Sequence, residues 1–293
     1  MDDTSRTTAP AGRTAPPWLP PGVPGHVRAG RTVAVVGACG GAGTSTLAAG
    51  LAHGLRRAGE GGVLVDLDAP GAGVDVLLGV EDEPGARWPE LADARGDVDG
   101  AGLVAALPRW RSVPVLSAAR SHGEPPDDAV AVDVCTGLLR AGESVVLDLP
   151  RPQAWTPAAR FLVAAADAVL LVVPCTVPAV AGAVAAVPRL GAAWAGTCWV
   201  VARGPAAGRV DPAAIESALG LPVVAEARWD RRLADAVGRG EGPPVGRRTP
   251  LGRAAADLVP ALVSARGTVH VPARETSRAP ARDAAWAPTA VAS

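Results

Sequence analysis

The chain has 293 residues, 48% hydrophobic and 19% charged, with a formal net charge of −1. That length suits one large domain or two small ones with a substantial core, and the near-neutral balance argues against a wholly basic nucleic-acid binder or a polyacidic tail protein. No run approaches the roughly 20 apolar residues of a membrane-spanning helix, and the N-terminus lacks the basic, apolar, small-residue order of a secretory signal, so a cytoplasmic protein is expected.

Residues 1–30 are rich in Pro, Gly, Thr and Arg without apolar periodicity and read as a disordered leader; residues 268–293 have the same character. Between them, 31–267 alternates strand-like and helix-like runs. Thr32 to Gly37 is the first strand, and Ser45 to Ala58 is a helix with Leu47, Leu51 and Leu55 on one face. Val63 to Asp66 is a second strand. An irregular insertion follows, flanked by Trp88 and Trp110, which read as core residues or as a partner surface, core packing being the plainer reading. Val113 to Leu116 is a weak strand, Val130 to Arg140 a helix, and Ser144 to Asp148 a strand. Ala168 to Val173 is a strand, then a helix covers Val180 to Leu190. Cys198 to Val201, a helix over Pro212 to Leu219, Pro222 to Ala225, and helices near Arg231 to Val237 and Leu251 to Val263 complete the order. Trp194 and Trp199 are expected in the core. Strands apolar on both faces and separated by helices imply a mostly parallel sheet with helices on both sides, a three-layer α/β fold.

The residue types that are missing restrict the chemistry. All 28 Lys+Arg positions are Arg, Asn is absent, and Gln153 is the single Gln. Any mechanism that needs a lysine or asparagine from this chain is excluded. Cys39, Cys135, Cys175 and Cys198 form no C-x-x-C and have no histidine at ligand spacing, so structural zinc, iron–sulfur clusters and a disulfide framework are not expected.

Gly37 to Thr46 joins the first strand to the first helix. Its glycines let backbone amides wrap an anion, and the helix N-terminus adds partial positive charge. The phosphate-loop frame G-x-x-x-x-G-K-[ST] fits from Ala38 to Ser45, with Thr44 at the lysine position. Gly40, Gly41, Ala42, Gly43, Thr44, Ser45 and Thr46 are the candidate nucleotide-binding residues. Ser45 is the hydroxyl that would hold Mg²⁺. Asp66 and Asp68 end the second strand on one side, where Mg²⁺ and an attacking water would be organised, and Asp68 is the candidate catalytic residue. Asp148 closes an apolar strand in the manner of a Walker B carboxylate. Ser45, Asp68 and Asp148 are thus the candidate metal residues, and ATP with Mg²⁺ the expected cofactors.

Cys39-Gly-Gly-Ala-Gly-Thr-Ser-Thr46 resembles the deviant Walker A of the MinD/ParA family, K-G-G-x-G-K-[ST]-T, except at both lysines. Asp66 to Gly79, Asp148-Leu-Pro150, Val172 to Pro174 and Val200 to Arg203 continue the resemblance, which extends over nearly all of 31–265. Gly40 to Ala48, Arg87 to Leu91, Asp148 to Arg151 and Arg203 to Pro205 also resemble the actinobacterial CpaE-like, septum site-determining branch. The resemblance implies a P-loop NTPase-like fold and a positional regulator linked to septum placement, polar positioning or Flp-type pilus and secretion machinery. It implies protein partners from such machinery, a possible homodimer, and recruitment to pole, septum or inner membrane through a partner.

The departures lie on the phosphate and base side. Cys39 and Thr44 replace the two family lysines. Ala202 stands at the adenine-reading asparagine, and Gly73 where MinD-like proteins often carry another. Each lost charge-assisted phosphate contact costs on the order of 2 to 3 kcal/mol, so two would weaken ATP roughly 10³-fold unless compensated. Hydrolysis is expected to be very slow or absent; Arg151 and Arg203 are positioned in sequence to compensate. An active ATPase switch cycling between monomer and dimer is one alternative. A Rossmann-type oxidoreductase, with Gly37, Gly40 and Gly43 around a dinucleotide and Asp66 or Asp68 on its ribose, is another. Cys39 reads as a neutral filler.

Seven arginines lie from Arg228 to Arg253. ParA-type relatives bind DNA non-specifically near this end, but a solvated helix face is the plainer reading here. Ala281 to Ser293 lacks the basic and apolar faces of the amphipathic helix by which MinD attaches to membrane, so direct membrane binding is not expected.

Overall fold

The computed structural model of the chain describes residues 30–68, 73–118, 125–193, 196–204 and 210–264. The expected leader, apart from Gly30, and the expected tail lie outside the described residues, as does Trp194.

The described residues form eight strands: β1 (Thr32–Gly37), β2 (Val63–Asp66), β3 (Arg109–Trp110), β4 (Val113–Leu116), β5 (Val145–Asp148), β6 (Ala168–Pro174), β7 (Cys198–Gly204) and β8 (Val223–Arg228). The helices are α1 (Thr44–Arg57), α2 (Val74–Leu78), α3 (Gly100–Ala106), α4 (Asp128–Arg140), α5 (Pro157–Ala164), α6 (Val177–Ala193), α7 (Pro212–Leu219), α8 (Arg232–Gly238) and α9 (Pro250–Ser264). Sheet order is β3-β4-β2-β5-β1-β6-β7-β8, parallel except for the β3–β4 pair.

Strand parity builds the three layers. Val33 and Val35 of β1 face one core with α1 and α9, while Ala34 and Val36 face the other with α4, α5 and α6. The same alternation holds in β5, where Val146 joins the α1 side and Val145 and Leu147 the α4 side. Because Asp66 follows Leu64 by two, and Asp148 follows Val146 by two, both carboxylates fall on the α1 side. Register pairs Asp66 directly with Asp148. Parity and register therefore deliver two acids to the N-terminal end of α1.

The insertion is more ordered than the sequence suggests. It holds α2, a 3₁₀ turn at Pro89–Leu91, α3 and β3. Helix α3 starts on Asp99, whose carboxylate accepts from the amides of Ala101 and Gly102. Its glycines hide it from periodicity, yet Gly100 is needed: a Cβ there would collide with the Gly137 carbonyl of α4. Helix α5 was also missed, although Thr156 caps it and Pro157 occupies its first turn. Trp88 and Trp110 are both buried, so core packing holds, while Trp199 is only half-buried against the α1-side core. Among the described residues no helix is long and apolar enough to cross a membrane.

Candidate functional site

All the predicted site residues line one cavity of about 640 Å³ at the C-terminal ends of β1, β2 and β5. Gly40 to Thr46 form one wall. Asp66, Asp68 and Asp148 form another, and Arg151 and Arg203 enter from β5 and β7. Helix α1 starts at Gly43, whose φ of 91° is left-handed, and no side chain caps that end. Its first amides therefore remain available to a ligand from the cavity.

Asp66 and Asp148 are each 2% exposed. Asp66 accepts from the amides of Asp68 (2.9 Å) and Val74 (3.0 Å). The Trp88 indole donates to its carbonyl at 2.7 Å, so the insertion clamps the end of β2. Burial pushes the Asp66 carboxyl up to about 6, opposed by those two amides and assisted by Asp68 and Asp75. Burial also drives Asp148 well above the usual carboxylate range, with Asp66 and Asp68 adding to it, against a hydrogen bond from the Ser45 hydroxyl. Asp68 sits at the rim. Partial burial raises it and the Arg151 charge lowers it.

These shifts set a pH dependence for the metal-free protein. The folded Asp66 holds its proton to a higher pH than the unfolded chain does. The associated stability is present below about pH 4 and lost as pH rises through about 6. The melting temperature without divalent cation is expected to fall over that window, and Asp66→Asn to flatten the fall. Scanning calorimetry across pH checks this; an unchanged slope in the variant would refute it.

Among the described residues no three His, Cys, Asp or Glu side chains converge as a ready-made metal cage. A divalent ion here would rest on Ser45 and Asp148, with Asp68 at the rim, and take its other ligands from phosphate and water. Mg²⁺ is commonly bound in that way.

Arg203 is the site's main addition to what the loop sequence offers. Its Nη1 donates to the Gly41 carbonyl at 3.0 Å, and its guanidinium carbon lies 5.3 Å from the ring centroid of Trp229. Its stem crosses the loop so closely that a Cβ on Gly43 would meet Nε at 3.0 Å. Burial lowers its pKa from the usual arginine value, and nearby Cys39 offsets part of that. Sequence position named Arg203 as a candidate. Trp229 carried no such signal, because only the folded β7 and β8 bring it alongside.

The seven arginines from Arg228 to Arg253 lie at the surface. All seven side chains are exposed, and Arg228, Arg232 and Arg239 face Glu226, Asp230 and Glu241 at 3.8, 3.3 and 2.8 Å.

In the strand order, β5 lies between β1 and β2, so the acid-bearing strand adjoins the loop-bearing strand. A dinucleotide-binding Rossmann sheet places its second strand beside its first, so the oxidoreductase alternative does not fit this topology. The fold is that of the ParA and MinD class of P-loop ATPases. A ParA family ATPase from Chlorobium tepidum TLS superposes with a TM-score of 0.65 at 16% identity, over 78% of this chain and 97% of that one. MinD from Pyrococcus horikoshii OT3, complexed with Mg-ADP, gives 0.63 at 19% identity over 78% and 93%. MinD in the MinC:MinD complex of Aquifex aeolicus gives 0.63 at 18% identity over 80% and 96%. In sequence, the chain is 40% identical over 242 residues to Rv3660c of Mycobacterium tuberculosis H37Rv and to MT3760 of strain CDC 1551, both described only as uncharacterized proteins. The alignment covers 82% of this chain and 66% of each relative, just under two thirds of their length. No protein-family profile matches the chain.

Proposed function

We propose that the chain is a nucleotide-binding positional regulator of the MinD/ParA kind. Its Walker A is degenerate, it binds Mg-ATP, and it hydrolyses it slowly or not at all. The observation that carries this reading is the convergence of the glycine loop, the Ser45 hydroxyl and the buried Asp148 carboxylate on one cavity. Ser45, Asp68 and Asp148 would supply the metal side of such a site, with phosphate and water completing it. On the phosphate side, backbone amides remain but both loop lysines are gone, so ground-state binding survives better than stabilisation of charge developing during transfer. The Mg-ADP complex of Pyrococcus MinD, which shares the fold, supports the choice of ligand.

The regulator acts through protein partners, as the MinC:MinD complex suggests for this fold, and is recruited from the cytoplasm by them to septum, pole or inner membrane. The motifs at Arg87 to Leu91 and Asp148 to Arg151 favour the CpaE-like branch, and with it pilus, secretion or division machinery. A working ATPase switch is the second reading, favoured by the guanidinium that Arg203 brings to the loop.

Calorimetric titration of the full chain with ATP, with and without Mg²⁺, tests the proposal. Binding in the micromolar range that requires Mg²⁺ is expected. No heat up to millimolar ATP would sink it. Phosphate release from the loaded protein at rates typical of P-loop ATPases would replace the slow regulator with the switch.

A further inference from the structure

We infer that Arg203 supplies the phosphate-facing cation that the loop itself lacks, delivered from the end of β7 and held in place by the Gly41 carbonyl and the Trp229 ring. The inference rests on the nucleotide reading above and names the residue on which affinity turns.

The argument begins from elimination. The chain has no lysine, so only arginine can bring a permanent positive charge to a bound phosphate. Two arginines line the cavity, Arg151 and Arg203. Arg151 stands at the carboxylate end, where its charge acts on Asp68. Arg203 stands at the loop, bonded to Gly41 and lying across Gly43.

Strand pairing fixes its approach. Val201, Ala202 and Arg203 run in register with Val172, Val173 and Pro174 of β6, which itself pairs with β1. The side chain therefore leaves the sheet one strand beyond β6, at the open end where the loop turns into α1. A lysine in the loop would reach the anion from within. This guanidinium reaches it from the side, over a glycine that leaves it room.

Its environment leaves it free to work on a ligand. Among the described residues no ion pair joins it to a carboxylate, and of the titratable groups only the Cys39 thiol bears on its charge state. A guanidinium has five donors in a planar fork, and one is committed to Gly41. The others are open to oxygens that lie against the loop. Trp229 is 52% exposed, unusual for a tryptophan, and its ring face holds the cation by cation–π attraction. That contact restricts the rotamers of a long side chain before the ligand arrives, which lowers the entropic cost of binding.

The test is Mg-ADP titration of the full chain by calorimetry, at low and high salt. Wild type, Arg203→Ala, Arg203→Lys and Arg203→Ala combined with Thr44→Lys are compared, after thermal melting has shown each to be folded. Loss of one charge-assisted phosphate contact predicts about ten- to a hundredfold weaker binding for Arg203→Ala, with a shallower salt dependence. Arg203→Lys is expected to retain part of the affinity. The Thr44→Lys second change is expected to restore it by returning a cation to the loop, which a purely structural role for Arg203 would not allow. If Arg203→Ala does not fold, Arg203→Gln carries the comparison.

Equal or tighter binding by Arg203→Ala would overturn the inference, making the guanidinium a neutral neighbour or a plug, and would leave the nucleotide reading standing. Failure of wild type to bind either Mg-ADP or Mg-ATP at millimolar concentration would overturn both.

Discussion

Asp148→Asn is expected to leave the metal-free protein at least as stable as wild type while removing the stabilisation that Mg²⁺ and nucleotide confer. The reason lies in the crowding of acids at the ends of β2 and β5. Asp148 is buried and faces Asp66 across the strand pair, and burial together with the two neighbouring carboxylates raises its pKa well above the usual carboxylate range. Asparagine preserves its shape and a partner for the Ser45 hydroxyl, and cannot take on the charge that burial disfavours. A divalent cation changes the sign of the effect, because it binds the ionised carboxylate and asparagine cannot replace that ligand. Saturation at about a hundred times Kd stabilises wild type by about 2.7 kcal/mol, which is roughly 5 to 10 °C for a domain of this size. Asp148→Asn forfeits that gain, and its affinity for Mg-ADP is expected to drop at least about a hundredfold. Because binding displaces protons, the wild-type gain also grows as pH rises. Melting scans with and without Mg-ADP decide the matter. An undiminished gain in the variant would show that Asp148 holds no cation. A metal-free melting point well below wild type would show that its carboxylate is ionised and paired.

What the sequence reveals follows from how local each signal is. The first β–turn–α unit is legible because a both-faces-apolar strand, a run of small residues and a leucine-striped helix are each written in consecutive residues. The acids at 66 and 148 are legible as strand ends. That they face each other is not, since it depends on the register of two strands separated by the whole insertion. Helix α3 is concealed by Gly100 and Gly102, whose low helix propensity is overridden by a close backbone contact of Gly100 with α4 and by the Asp99 carboxylate that caps Gly102. Trp88 was ambiguous because tryptophan marks cores and interfaces alike. Only its bond to the Asp66 carbonyl shows that it braces the site. Arg203 was visible as a candidate, but its posture depends on a ring delivered by the next strand. The motif residues were therefore readable, while the contacts that surround them were not.

Replacing Arg87 by Leu is expected to destabilise the fold by about 3 to 5 kcal/mol, the penalty for breaking a buried, hydrogen-bonded ion pair from one side. In sequence, Arg87 and Trp88 open the motif that runs to Leu91. In the structure they are two ends of one strap. Trp88 turns inward to the Asp66 carbonyl, while Arg87 turns to the loop that follows α2. Its Nη2 donates to the carbonyls of Val80 (2.8 Å), Glu81 (3.2 Å) and Glu83 (3.3 Å), its Nη1 to Gly85 (3.3 Å), and its Nε lies 3.6 Å from the Asp75 carboxylate. Both side chains are buried. Leucine would fill part of the volume but leave several carbonyls and one buried carboxylate without a donor. The damage would reach the site as well, because α2 supplies the Val74 amide that holds Asp66. Urea unfolding of wild type, Arg87→Leu, Asp75→Leu and the double variant separates the terms. The double variant is expected to be less destabilised than the sum of the singles, since it removes the stranded carboxylate together with its partner. Strict additivity would mean that Arg87 acts through its carbonyl contacts alone. A loss below about 1 kcal/mol for Arg87→Leu would mean that the strap does not hold the insertion.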